Sequence, residues 1–149
     1  MTEFYETLSL QLQALTDGIE YEIANCANAS ALLRQEMENI SWAGFYIFKD
    51  EKLILGPFQG KPACIIIPMG KGVCGTAAQQ DSALVVKDVL SFPGHIACDA
   101  DSRSEIVLPI HKNGRLWGVL DIYSTETGRF GEEDREGLSE FVRIFEKTL

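Results

Sequence analysis

The chain has 149 residues, of which 46% are hydrophobic, and a formal net charge of −9 from 13 basic and 22 acidic side chains. This size and apolar content predict one domain, residues 1–149, that folds on its own core without a structural disulfide or metal. The acidic balance without a basic stripe argues against nucleic acid and anionic membranes as partners. The acidic N-terminus precedes no apolar run, and no segment has the apolar length of a membrane span, so we expect a reducing, cytoplasmic location.

The first half of the chain predicts two helices followed by three strands. Apolar side chains at three- and four-residue steps predict a first helix with a buried face of Phe4, Leu8, Leu12, Leu15 and Ile19. A second helical stretch is expected at about 28–37. Aromatic and β-branched residues predict a buried strand at 41–48, and further strands are expected at 52–58 and 63–68.

The second half begins with a glycine-rich loop, a short helix to about residue 80 and a brief strand at 83–86. Residues 88–102 have weak periodicity and contain Pro93, Gly94 and three aspartates, which favours a long functional loop with at most one helical turn. Asn113-Gly114 predicts a hairpin between strands at 104–111 and 115–124. A last helix begins with acidic residues at 132–134. Helices at both ends and strands between them predict an α+β domain.

The register of this hairpin decides which side chains share a face of the sheet. A two-residue turn would set Ile106 opposite Asp121 and place a carboxylate on the apolar face. A three-residue loop ending at Gly114 instead sets Ile106 opposite Leu120 and Glu105 opposite Asp121. We therefore expect the three-residue loop. Two carboxylates directly across a strand pair repel each other and need a cation or a proton between them, which is typical of a binding site.

Residues 70–75, GKGVCG, match the GxGxxG pattern of dinucleotide sites, and Asp88 lies near the distance expected for a ribose-binding acid. That fold requires parallel βαβ units, whereas the strands downstream form a hairpin. We interpret the segment as a tight turn into a helix, and no cofactor is predicted. The free N–H groups of such a turn can hold a small anion.

The four cysteines are Cys26, Cys64, Cys74 and Cys98. No pair has CxxC spacing, and among the histidines only His95 lies near a cysteine, so no metal site is predicted. Cys26 ends a helical region and is interpreted as structural. Cys64 in a strand and Cys74 in the glycine-rich loop are compatible with either packing or a redox role.

Cys98 is the candidate reactive thiol because it lies in the long loop among polar residues. A protonated His95 or the nearby Arg103 would favour its thiolate, whereas Asp99 and Asp101 would disfavour it. A loop histidine is more often a surface residue than a catalytic one. Trp42, at the start of a strand, is equally compatible with the core and with the wall of a ligand pocket.

Six segments carry a more specific pattern: WAGFY at 42–46, GPFQG at 56–60 with Ala63-Cys64, GKGVCG at 70–75, GHIACD at 94–99, SEIVLP at 104–109 and GVLDI at 118–122. Together they resemble the free methionine-(R)-sulfoxide reductases. The resemblance runs from about residue 41 to the C-terminus and includes three cysteines at the family's spacing. It implies a GAF-like antiparallel sheet with helices on one face and a substrate pocket under loops on the other.

Carried over to this sequence, the resemblance implies that Cys98 is the nucleophile, Cys64 the resolving cysteine and Cys74 an auxiliary or alternative resolver. It makes Trp42, Glu105 and Asp121 pocket residues, and it implies reduction by thioredoxin and a homodimer. The chemistry of sulfoxide reduction independently requires an acid and two thiols. Sulfoxide reduction by a thiolate needs an acid at the oxygen, which suits Glu105, and a second thiol to convert the sulfenic acid to a disulfide.

One position departs from the family, which usually has a second acid where this chain has Tyr123. Strand alternation places Tyr123 on the face of Asp121, so it is expected to line the pocket and to bear on how the substrate's ammonium is recognised. The main rival hypothesis is a non-enzymatic GAF module that senses or binds a small molecule. Another is a different thiol enzyme on the same scaffold. The three cysteines together favour the reductase.

Overall fold

The computed structural model of the protein describes residues 1–96 and 98–149; Ala97, in the predicted long loop, lies outside them. Within these residues the helices are α1 (Glu3–Thr16), α2 (Glu22–Glu36), α3 (Gly72–Gln80) and α4 (Glu132–Glu146), with a 3₁₀ turn at Val89–Ser91. The strands are β1 (Trp42–Lys49), β2 (Lys52–Gln59), β3 (Ile66–Pro68), β4 (Leu84–Val86), β5 (Ser104–Lys112) and β6 (Arg115–Ser124). None of these helices is both long and apolar enough to cross a membrane.

The six strands form one sheet in the order β3-β2-β1-β6-β5-β4, and each neighbouring pair is antiparallel. The predicted α+β class and antiparallel sheet are confirmed. Segment 70–75 connects β3 to α3, and the described sheet has no parallel pair. It therefore lacks the βαβ unit of a dinucleotide fold, as expected from the hairpin.

The main hydrophobic core lies between one face of the sheet and the helices α1, α2 and α4. Alternate residues of β5 and β6 point into it, and all are nearly inaccessible: Ile106, Leu108, Ile110, Leu120 and Ile122. Helix α4 contributes Leu138, Phe141, Val142 and Phe145. The opposite face carries a second buried cluster, which packs against α3 and the loops on either side of it.

The predicted buried face of the first helix is partly wrong. Leu8 and Leu12 are buried, but Phe4, Leu15 and Ile19 are about 40% exposed, and Tyr5 is buried in their place. The buried face of α1 is therefore rotated about the helix axis from the predicted one. Gly137 of α4 explains this, because it leaves a gap that the Tyr5 ring fills, and a Cβ at position 137 would collide with that ring. The Tyr5 hydroxyl also donates a hydrogen bond to Asp134, 2.6 Å away.

Two element boundaries also differ from the predictions. Helix α2 begins six residues before the predicted start at 28, and Asn25, a weak helix former, is buried there and donates to the Ile19 carbonyl at 3.0 Å. Strand β3 comprises only Ile66–Pro68, so Cys64 precedes the strand rather than lying within it.

The hairpin register differs from the expected three-residue loop. Lys112 pairs with Arg115 around a two-residue turn, and a bulge follows, so that Ile106 faces Ile122 and Glu105 faces Tyr123. Asp121 faces Val107, which lies two residues from Glu105 along β5. The expected direct Glu105–Asp121 pairing is therefore wrong. The two registers differ by two residues, so both carboxylates remain on the same face, away from the helix-side core.

Candidate active site

Two buried carboxyl groups and a buried thiol meet on the sheet face opposite the main core. Glu105 comes from β5 and Asp121 from β6, and their exposed fractions are 5% and 0%. Cys74, in the first turn of α3, is a free thiol whose Sγ donates to Glu105 Oε2 at 3.8 Å. Within the described residues, neither oxygen of Asp121 has a hydrogen-bond partner.

Burial determines the protonation of this cluster. Removal from water raises the pKa of the Glu105 carboxyl well above its usual range, and the neighbouring Asp121 raises it further. Burial likewise raises the pKa of Asp121. The pKa of the Cys74 thiol is also raised, first by burial and then by the two acids. The protonated form of Glu105 is therefore favoured, and Cys74 remains a thiol rather than a reactive thiolate.

Cys64 and Cys98 form a disulfide bond, with their Cα atoms 5.4 Å apart and a sequence separation of 34. The structure thus joins the two cysteines that the sequence resemblance named as nucleophile and resolver. Cys26, by contrast, is a free thiol on the helix side of the sheet, and burial raises its pKa to about 12. Its predicted structural role agrees with this position.

Two residues that the sequence analysis did not single out hold the segments around the disulfide. The Tyr46 hydroxyl, on β1, donates to the Cys64 carbonyl at 2.9 Å. The Lys61 ammonium bonds to Asp101 at 3.0 Å and lies 4.0 Å from Asp99, so it links the segment before Cys64 to the loop of Cys98. Nothing in the local sequence signals these contacts, which join residues far apart in the chain.

A small cavity connects the disulfide to the acidic cluster. Its wall includes Cys98, Cys74, Glu105, Asp121 and Tyr123, together with His95 and the first turn of α3. Its volume is about 20 Å³, whereas one water molecule needs about 10–15 Å³ on this scale. In the disulfide form the cavity therefore has space for a water or an ion and not for an amino acid.

The loop offers Cys98 little positive charge. Burial lowers the pKa of His95, so its imidazole is neutral at pH 7. The Arg103 guanidinium donates to the carbonyls of Ala100 and Ser102, both at 3.0 Å, and so holds the loop itself. The expectation that a protonated His95 stabilises the Cys98 thiolate is not supported by this arrangement.

Trp42 lies behind the cavity wall, where the aromatic ring of Tyr123 covers it. The two rings stack with centroids 5.0 Å apart, and Phe58 also stacks on Trp42, at 5.1 Å. The indole N–H donates to the Lys61 carbonyl at 3.0 Å. In the described part of the chain the cavity wall includes Tyr123 and not Trp42, so in this form Tyr123 presents the aromatic surface that was expected of both residues.

Comparison with known proteins identifies this architecture. A family model described as the GAF domain matches residues 7–149. The free methionine-R-sulfoxide reductase of Escherichia coli is 51% identical over 148 residues, covering 99% of this chain and 90% of that protein. The chain belongs to the free methionine-R-sulfoxide reductase family. This assignment confirms the family predicted from the sequence motifs, an oxidoreductase family, and the GAF fold predicted with it.

Solved members of the family have the same fold as this chain. The fRMsr of Staphylococcus aureus in complex with its substrate has a TM-score of 0.94 and 50% identity, covering 97% of this chain and 95% of that one. The free methionine-R-sulfoxide reductase of Neisseria meningitidis, also in complex with its substrate, has a TM-score of 0.93 and 40% identity, covering 97% and 87%. The individual roles of the site residues remain predictions.

Proposed function

We propose that this chain reduces free methionine-(R)-sulfoxide to methionine, with Cys98 as the attacking thiolate. The observation that carries the proposal is the Cys64–Cys98 disulfide beside a cavity whose floor holds two buried carboxyl groups. A disulfide is the oxidised product that such a reaction leaves on the protein. The floor supplies both a proton donor and negative charge for an amino-acid substrate.

In the first chemical step, the Cys98 thiolate attacks the sulfoxide while the Glu105 carboxyl donates a proton to its oxygen. The oxygen is transferred: the S–O bond of the substrate breaks, an S–O bond to Cys98 forms, and the donated proton ends on the oxygen, so that methionine is released and Cys98 becomes a sulfenic acid. Protonation is needed because a sulfoxide is a poor electrophile towards a thiolate until its oxygen is protonated or hydrogen-bonded. Glu105 is suited to this role because burial and its neighbour Asp121 raise its pKa and so favour the protonated, proton-donating form.

In the second step, the Cys64 thiol condenses with the sulfenic acid, and a disulfide and one water are formed. The Tyr46 hydrogen bond and the Lys61 link hold the Cys64 segment against the loop of Cys98. Cys74 is a weaker candidate for resolver because its thiol is bonded to Glu105 and its pKa is raised. Its position instead orients the Glu105 carboxyl.

The substrate's charged groups fit two parts of the cavity. Its ammonium is attracted to Asp121, whose buried oxygens have no hydrogen-bond donor among the described residues. Its carboxylate fits the N-terminal turn of α3, where Gly72 and Val73 line the cavity and the backbone N–H groups carry partial positive charge. Tyr123 packs against the remaining apolar part of the molecule. Because the disulfide form has space for little more than a water, the disulfide must be reduced before the next substrate binds.

Thioredoxin is the proposed reductant of this disulfide. Ile65 and Ile66, directly after Cys64, are 68% and 52% exposed and form an apolar surface where a protein reductant can dock. Ile65→Ser should therefore raise the KM for thioredoxin while leaving the rate with dithiothreitol unchanged. If the wild type and Ile65→Ser have equal KM values for thioredoxin, its docking surface lies elsewhere.

We also propose that the chain acts as a homodimer in the cytoplasm. Tyr21 and Ile23, at the start of α2, are 77% and 78% exposed, and large apolar side chains in such positions favour a subunit interface. Sedimentation of the wild type and of Ile23→Asp tests this. A dimer that persists unchanged in Ile23→Asp would exclude this surface.

The decisive test of the function is turnover of three substrates by the pre-reduced protein with a thioredoxin system. We expect reduction of free L-methionine-(R)-sulfoxide and none of the (S) epimer or of a peptide-bound methionine sulfoxide. Activity on the peptide alone would contradict the proposal. Binding of the free sulfoxide without any turnover would favour the rival hypothesis, a GAF module that only senses its ligand.

A further inference from the structure

The buried cluster of Cys74, Glu105 and Asp121 also has the composition of a metal site. Each residue offers one ligand atom, and the three atoms all lie within 4.8 Å of one another. The cluster lines the small cavity, and within the described residues neither buried oxygen of Asp121 has a hydrogen-bond partner. A buried, unpartnered carboxylate beside a thiol is a costly arrangement that a cation would relieve.

The dimensions suit a four-coordinate ion. Ligand bonds of about 2.0–2.3 Å place the ligand atoms of a tetrahedral ion about 3.3–3.8 Å apart. Cys74 Sγ and Glu105 Oε2 are already 3.8 Å apart, so shifts of about 1 Å or less would close the shell. The cavity volume of about 20 Å³ accommodates the ion. A thiolate ligand selects Zn²⁺ or Cd²⁺ over Mg²⁺ and Ca²⁺.

We propose that Cys74, Glu105 and Asp121 bind a thiophilic divalent cation, Zn²⁺ or Cd²⁺, and that the bound ion blocks the site. On binding, the Cys74 thiol proton and the protons held by the two acids pass to solvent, and no electron is transferred. The ion occupies the position assigned above to the substrate's ammonium. The binding itself stands on the geometry alone, whereas the inhibition rests on the proposed function.

Binding is tested on chelator-treated protein with the Cys64–Cys98 disulfide intact. In that form Cys26 and Cys74 are the free cysteines, and they lie on opposite faces of the sheet. Titration with Cd²⁺ should produce a thiolate-to-metal charge-transfer absorbance that saturates at one ion per chain, and an excess of Mg²⁺ should not displace it.

Matched variants assign the ligands in this titration. The absorbance should persist in Cys26→Ser, disappear in Cys74→Ser, and require at least about tenfold more Cd²⁺ in Asp121→Asn. Far-ultraviolet circular dichroism checks that each variant is folded. Absence of the signal in the wild type, its persistence in folded Cys74→Ser, or unchanged affinity in Asp121→Asn would overturn the proposal.

Inhibition is tested separately, in a single turnover of pre-reduced, thiol-free protein with free methionine-(R)-sulfoxide. Zn²⁺ should slow methionine release, and excess substrate should restore it. Slowing that persists in Cys74→Ser would assign the block to the Cys64–Cys98 dithiol and overturn the inhibitory role. If the pre-reduced wild type does not turn over the sulfoxide without added metal, the proposed function fails. The Cd²⁺ titration still decides whether the metal site exists.

Discussion

The unpartnered carboxylate of Asp121 predicts that Asp121→Asn stabilises the substrate-free protein while it impairs binding of the substrate. Asn has the same shape, carries no charge, and can donate a hydrogen bond to Glu105. Leaving a buried polar group unsatisfied costs about 1–3 kcal/mol. We therefore expect the free energy of unfolding to rise by about 1–3 kcal/mol at pH 8, which corresponds to an increase in Tm of about 2–4 °C per kcal/mol in a domain of this size.

The gain should depend on pH, because burial raises the pKa of Asp121 in the folded state. Between the ordinary pKa of an unfolded aspartate and the raised folded value, the native state keeps a proton that the unfolded state has lost. The wild type therefore loses stability as pH rises through that window. Below the window both states are protonated, so the advantage of Asp121→Asn should shrink towards pH 4.

Urea unfolding of the disulfide form at several pH values between 4 and 9, followed by tryptophan fluorescence, measures this effect. Asp17→Asn, at an exposed position after α1, is the matched control and should change nothing. If Asp121→Asn is no more stable than the wild type at pH 8, the carboxylate is already compensated in the free protein. The argument that its negative charge awaits the substrate's ammonium would then fail.

The remaining predictions concern the cysteines, the acid, the lysine link and the aromatic wall. Cys98→Ser should abolish methionine formation, whereas Cys64→Ser should release one equivalent per chain and accumulate sulfenic acid, detectable by dimedone labelling; substantial activity in Cys98→Ser would reverse the assignment. Glu105→Gln should slow pre-steady-state methionine release by on the order of 10²–10⁴, and an unchanged rate would place the acid elsewhere. Lys61→Met should slow disulfide formation about two- to fivefold without slowing methionine release, and Lys61→Arg should restore the rate of disulfide formation. Equal rates of disulfide formation in the wild type and Lys61→Met would show that the Lys61 link does not position Cys64 against Cys98. Tyr123→Asp should lower the urea midpoint, because it replaces a stacked ring with a third buried acid, whereas Tyr123→Phe should retain it; an unchanged midpoint in Tyr123→Asp would mean that the ring is dispensable.

Local sequence signals predicted the parts of the fold that depend on alternation and turn chemistry. The hairpin at Asn113-Gly114, the buried strand beginning near Trp42 and the placement of Glu105 and Asp121 on one face all follow from such signals. The face was predicted correctly although the register was not, because a shift of two residues preserves the side of the sheet on which a side chain lies. The family motifs then identified the two cysteines that the structure joins.

The register itself depends on tertiary packing that the sequence does not display. The bulge leaves Trp117 unpaired between His111↔Leu116 and Ile110↔Gly118, and so turns its indole towards the helix side. There the ring packs against Phe145, with centroids 5.6 Å apart, and its N–H donates to Glu22 at 3.3 Å. A regular strand would have directed Leu116 to that side and left the larger ring on the other. The partners of Trp117 come from both ends of the chain, so no local pattern could predict the bulge.

The same limit applies to the site, where contacts between distant segments determine what each functional residue can do. Lys61 meets Asp101 across 40 residues, and Tyr46 reaches the Cys64 carbonyl from a central strand. The sequence shows these side chains without showing that they adjoin the two cysteines. For Tyr123 the sequence showed the substitution itself but not its consequence for the shape of the cavity. Its departure from the family pattern was visible in the sequence, but only the stack with Trp42 reveals that it replaces one wall of the cavity as well as one charge. A substitution at this position therefore changes the shape and the electrostatics of the pocket together, and Tyr123→Phe separates the two because it keeps the ring and removes the hydroxyl.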